Sequence, residues 1–333
     1  MWCMDVNHEK FNEDENKSKC IRVLVKDMYR WELVRSWLRN GRQWIFRGQG
    51  NSAWELSNGI ERDVMPSPVF SDEQKIKFEK GWFDLERKNI QTFQDRFDSY
   101  FQGRARPQSM VGWLALMQHY GLTTRLLDFS RSLNVASYMA TEKRMPTSRA
   151  FSIWAVDVKG IGVFRVGDSS DDKTFIEQQL TDDSYSVAKE SLKYQNRLAI
   201  IENLSQEDRN ANWRIGSQQG LFVAPCSFPC VCRGVISQLF IGGSYLEPLF
   251  RCPYFNYSGL PPDHEWEFDE KLLNSAVVIE FVFPGGLMPL VRGLAESHDC
   301  CDETMYPDAM LVSTERLKAG IDCKQMCGNW PYI

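Results

Sequence analysis

The sequence predicts an α+β fold, with a central β-sheet and flanking helices, and three observations lead there. Apolar residues recur at helical spacing early in the chain, at 26–39 and 72–101. Short apolar runs of strand length crowd its later half. Helical and strand patterns do not alternate in the regular way that builds a parallel sheet of βαβ units.

Between Lys26 and Arg39, Met28, Trp31, Val34, Trp37 and Leu38 form one apolar stripe, which Asn40-Gly41 ends. Gln43-Trp44-Ile45-Phe46 then reads as a strand delivering Arg47-Gly48-Gln49-Gly50 at its end, a usual place for functional side chains. Ser71-Asp72 opens a long helix over 72–101, and 110–118 is a second helical stretch. Thr123 to Phe129 is β-prone, and Ser132 to Glu142 is a short helix with Val135, Ala136, Tyr138 and Met139 facing inward. Further strands are expected at 150–158, 198–202, 221–224, 235–241 and 276–283, with a late helix over 311–318. The organisation that follows is a flexible polar arm over 1–26, a main domain over 27–320 with an acidic insertion near 165–193, and a tail over 321–333.

With 39 Lys and Arg against 44 Asp and Glu, the net charge of −5 lacks the footprint of a nucleic-acid binder, leaving only a local basic patch at Arg104, Arg106 and Lys143-Arg144. The polar N-terminus is not a secretory signal, and no apolar run approaches the roughly 18 residues of a membrane span. A cytoplasmic location and free thiols are therefore expected for the ten cysteines. Cys226, Cys230, Cys232 and Cys252 form one group, and His298, Cys300, Cys301, Cys323 and Cys327 another. Neither has paired C-x-x-C spacing, so no metal is expected. P-loop, zincin and nucleophile-elbow motifs are absent from the sequence.

Two segments carry candidate chemistry. In Phe46-Arg47-Gly48-Gln49, the arginine fork suits a phosphate or carboxylate, and Gly48 would let a ligand approach the backbone. The alternative is an arginine paired with an internal carboxylate. In Gln118 to Ser130, His119 is a ligand donor or a satisfied core histidine. Arg125 and Asp128 either line a site or tie down neighbouring backbone. Three residues apart in a strand, they would point to opposite faces.

These motifs resemble the FRG domain, named for Phe-Arg-Gly. The resemblance rests on F-R-G-Q, on the segment Q-H-Y-G-L-T-T-R-L-L-D-F-S-R-S-L-N-V-A-S-Y-M-A, on Trp54 to Arg62, on Arg214 to Phe222, and on Tyr306-Pro307-Asp308. It runs from about Met28 to about Gly320, with Thr123 and Leu133 standing where that family commonly has proline. The pattern is also similar, more distantly, to the ADP-ribosyltransferase fold, which implies a split central sheet and an NAD-consuming enzyme, either an ADP-ribosyltransferase or an NAD glycohydrolase. A toxin or antiviral-defence setting follows from the same resemblance. It assigns Arg47, His119 and Gln219 to catalysis, and Arg47, Gly48, Gln49, Arg125, Asp128, Ser130 and Ser132 to binding NAD as substrate, with a protein or nucleic-acid acceptor. Gln219 stands where such enzymes usually have glutamate, and Glu280 and Glu303 are the substitutes the sequence offers. The reading from a different class is a non-catalytic module binding a nucleotide, nucleic acid or protein.

Overall fold

The computed structural model describes residues 20–54, 56–59, 72–101, 103–142, 148–159, 198–202, 204–225, 273–274 and 276–306. Seven strands form one mixed sheet: β1 (Cys20–Leu24), β2 (Trp44–Gln49), β3 (Leu127–Ser130), β4 (Phe151–Asp157), β5 (Leu198–Ile201), β6 (Gly220–Pro225) and β7 (Val278–Phe283), in the spatial order β1-β7-β4-β2-β3-β6-β5. The helices are α1 (Met28–Trp37), α2 (Asp72–Tyr100), α3 (Met110–His119), α4 (Leu133–Ala140), α5 (Gln206–Ala211), α6 (Trp213–Ser217), α7 (Met288–Glu296) and α8 (Asp302–Met305). The acidic insertion, the strand expected at 235–241, the helix expected at 311–318 and the C-terminal tail lie outside the described residues.

The expected split sheet is a single sheet with a narrow middle. Strands β1, β7, β4 and β2 pair over five or six residues each, and so do β3, β6 and β5 over four. The two halves meet where Phe46 on β2 lies opposite Ser130 on β3. The expectation of helices first and strands later is also corrected, because strands and helices interleave from β1 onward. Residues 20–24, expected within the flexible arm, form a parallel edge strand on β7, with Val23 buried. A five-residue strand directly after a charged run offers too little pattern to be read locally.

Local chemistry sets the helix starts. Asp27 accepts the Arg30 N–H at 2.8 Å, Ser109 accepts the Gly112 N–H at 2.9 Å, and Ser132 accepts the Val135 N–H at 3.3 Å, each relieving an unpaired donor of a first turn. Packing sets their places. Helices α1, α4 and α7 cover one half of the sheet, where Trp31 meets Phe283 edge-on with centroids 4.9 Å apart. Helices α2 and α3, with the residue that follows each, cover the other half through Phe93, Phe97, Phe101, Trp113 and Tyr120. The opposite sheet face carries a third cluster of Ile45, Leu127, Phe129, Trp154, Val156, Leu221, Val223 and Val278.

A buried carboxylate ties α5 to α3. Asp208, 1% exposed, accepts from the Gln108 N–H at 2.7 Å and from the Ser109 hydroxyl at 2.7 Å. Burial alone would raise its pKa, but these hydrogen bonds outweigh it and hold the carboxyl below its ordinary value. A lowered folded pKa stabilises the fold above the unfolded value of about 3.9 and loses that contribution as pH falls through the folded one. Asp208→Asn should therefore cost about 1–3 kcal/mol at neutral pH. In urea titrations, its deficit against wild type should narrow below about pH 4.

Candidate functional site

The FRG segment is not at the end of its strand. β2 runs through Arg47 and Gly48 to Gln49. Register then decides which side chains share a face. Arg47 pairs with Trp154, Trp154 with Glu280, and Glu280 with Arg22, so these four residues form one row across β2, β4, β7 and β1. Gln49 and Ser152 sit two residues further along on the same face. Within this patch, the Trp154 indole N–H donates to Gln49 Oε1 at 2.8 Å, and Arg47 Nη1 donates to the Asp128 carbonyl at 2.6 Å.

Asp128 and Ser130 have the opposite parity. Ser130 lies opposite Phe46 and Asp128 opposite Phe222, on the helix-covered face. There Asp128 Oδ1 accepts from the Gln118 amide at 2.7 Å, while Gln118 Oε1 accepts from the Thr124 hydroxyl at 2.6 Å. The structure thus brings Arg47 and Gln49 together with Trp154 and Glu280, and sets the Asp128 and Ser130 side chains on the other side of the sheet.

Several expected ligand contacts serve the fold. Arg125 precedes β3 and is fully buried, its Nε donating to Glu86 Oε2 on α2 at 2.8 Å. His119 is buried at the end of α3, with Nδ1 3.1 Å from Asn212 Oδ1 and its ring 4.9 Å from that of Tyr120. Ser130 Oγ donates to the Gln218 carbonyl at 2.7 Å and accepts the Ser132 N–H at 2.9 Å, while Ser132 caps α4. At Gly48, expected to let a ligand approach, a Cβ would lie 2.0 Å from the Ala136 carbonyl oxygen and 2.5 Å from the Ala140 nitrogen. Helix α4 fills the space that the glycine leaves. Arg106, expected in a basic patch, pairs with Asp98 at 2.8 Å and lies over the Phe97 and Trp113 rings, and Arg104 donates to the Tyr120 hydroxyl at 3.2 Å.

The third motif forms a turn beside the narrow middle of the sheet. Gly220 pairs with Ser130, and Gln219, exposed just before it, has φ 46° and accepts the Arg131 N–H at 3.1 Å. A left-handed backbone at a side-chain-bearing residue costs about 1–2 kcal/mol. Gln219→Gly should therefore raise the thermal unfolding midpoint by the equivalent of about 1 kcal/mol. The turn is held from the C-terminal side, where the Gln218 amide donates to the Met305 carbonyl at 3.1 Å. Tyr306 donates to the Glu142 carboxylate and lies under Arg214, whose guanidinium is 4.8 Å from the ring centroid. Glu303 is exposed on α8.

Glu280, 5% exposed, is the buried acid nearest in register to Arg47 on this face. Burial pushes its carboxyl above the ordinary range, and the hydrogen bonds and charge of Arg22 offset this only in part. The sequence held one signal for it: a lone charge within the apolar run Ala276 to Phe283. Trp154, Arg22 and Glu86 gave no such signal, since each looks like an ordinary strand or helix residue.

Of the two cysteine groupings, Cys226, Cys230, Cys232, Cys252, Cys323 and Cys327 lie outside the described residues. Among the described residues no helix is long and apolar enough to cross a membrane. Neither the curated proteins nor the solved structures gave a match to this chain. One family model does match, and it covers residues 42–149, which hold β2, the Arg47 end of the polar row, Arg125, Asp128 and helix α4. The matched model is that of the FRG domain.

Proposed function

We propose that the polar row across β2, β4, β7 and β1 is the substrate site of an NAD-consuming enzyme, an ADP-ribosyltransferase or NAD glycohydrolase of the kind used as a toxin or antiviral effector. The observation that carries the reading is that Arg47 and the buried acid Glu280 share one face and one register level, two strands apart across Trp154. Cleaving the nicotinamide–ribose bond builds positive charge on the ribose. A guanidinium suits the pyrophosphate, and a carboxylate in a low-dielectric setting suits the developing cation. Glu280 takes the place for which Gln219 was the sequence candidate, and the Gln218-Gln219 turn then flanks the site.

A second reading has its own support. Both oxygens of Glu280 already face Arg22, and most of the polar groups near the FRG motif are engaged internally. That pattern favours a module that binds a nucleotide without turning it over. Free nicotinamide should be quantified after incubating NAD with wild type, Arg47→Lys and Glu280→Gln, each first shown to unfold cooperatively. Release that falls at least tenfold in Glu280→Gln selects the enzyme. A thermal shift on adding NAD with no nicotinamide from any variant selects the binding module, and neither response removes both.

A further inference from the structure

The polar row ends on a basic residue, Arg22, to which the reading above gives no role. Arg22 Nε lies 2.6 Å from Glu280 Oε2 and Arg22 Nη2 lies 3.1 Å from Oε1, so both carboxylate oxygens are occupied. The same Nη2 donates to the Ser52 carbonyl at 2.8 Å, in the loop that follows β2. The two partners differ in access: the Arg22 side chain is 26% exposed and that of Glu280 6%. The arginine stands on β1, an edge strand with β7 as its neighbour, whereas the acid sits inside the sheet between β1 and β4. A carboxylate chelated this way has its charge cancelled and its lone pairs directed at the guanidinium. It can neither face a ribose cation nor take a proton from an acceptor.

The guanidinium, by contrast, hangs on a long side chain at the rim. Arg47 and Arg22 lie at the two ends of the row, three strand spacings or about 14 Å apart by backbone, with Trp154 and Glu280 between them. Two arginine side chains reaching inward across that span suit the two charges of a pyrophosphate.

Building on the NAD reading of this site, we propose that Arg22 is a releasable counter-ion: it holds Glu280 inactive in the free protein, and the pyrophosphate of the incoming nucleotide draws it away and uncovers the carboxylate. Binding and activation are thereby one event, and the acid is exposed only when a ribose is in place to use it. Losing its counter-ion while still buried, Glu280 must titrate higher in the complex than in the free protein.

The test follows the Glu280 carboxyl carbon by NMR titration in the full chain, for wild type, Arg22→Gln and Arg22→Lys, with and without ADP-ribose as the probe. Nicotinamide release is measured in parallel. The expected result is an upward shift in wild type on adding ADP-ribose, a similar shift in ligand-free Arg22→Gln, and a smaller one in ligand-free Arg22→Lys, which keeps the charge but not the two-point contact. Arg22→Gln should also show a higher KM for NAD, having lost a phosphate contact, without a fall in kcat. An unchanged titration in Arg22→Gln, or no response of wild type to ADP-ribose, overturns the proposal. The expected shifts with no nicotinamide from any variant keep the counter-ion exchange and remove glycosyl transfer instead.

Discussion

Gly48→Ala is expected to destabilise the chain by about 3 kcal/mol or more, the upper end of what overpacking costs, and to abolish folding if no relaxation is available. The added methyl would meet backbone atoms of Ala136 and Ala140, and helical backbone cannot step aside as a side-chain tip can. Relief requires α4 to lift off β2, which opens the cluster holding Phe46, Ala136, Ala140 and Ile153. Gly293→Ala on α7 is the internal control. Nothing lies within 4 Å of its added carbon, and a helical alanine in place of glycine should add about 0.5–1 kcal/mol. Urea unfolding of the two variants beside wild type measures both. A Gly48→Ala protein of wild-type stability that no longer responds to NAD would show that the glycine serves a ligand after all.

The second large effect is expected at Arg125 and Glu86. Both are almost wholly buried, and removing either leaves an uncompensated charge inside the α2–α3 core. Arg125→Met and Glu86→Leu should each cost about 3–5 kcal/mol, while the double variant should lose much less than their sum, since an apolar pair carries no desolvation penalty. A double-mutant cycle by chemical denaturation reads the coupling directly. Were Arg125→Met as stable as wild type but deficient in nucleotide response, Arg125 would belong to the site and not to the scaffold.

What the sequence made legible was local. The apolar stripes of α1 and α2 are visible without knowing what they pack against. The site depended on pairings between distant segments. The resemblance assigns Arg47 and Asp128 to one binding site, yet β2 and β3 meet at Phe46 and Ser130, and that single register places the two side chains on opposite faces. Glu280 reaches the neighbourhood of Arg47 only because β4 lies between β2 and β7. The glycine of the FRG motif is required by a helix that follows a different strand, so its local sequence suggests ligand access while its packing dictates something else.

The narrow join between the two halves of the sheet has a consequence for dissection of the protein. The chain crosses that join repeatedly: β2 lies on one side and β3 on the other, β4 returns, β5 and β6 go across, and β7 comes back. No single cut therefore separates the halves, although they touch so little. The matched segment over 42–149 keeps β2 and β3 but excludes β4 and β6, the strands that give those two most of their pairing. The recognisable motif is thus an inseparable part of a larger folding unit. Excised, it would present two nearly unpaired strands to solvent, a state prone to aggregation.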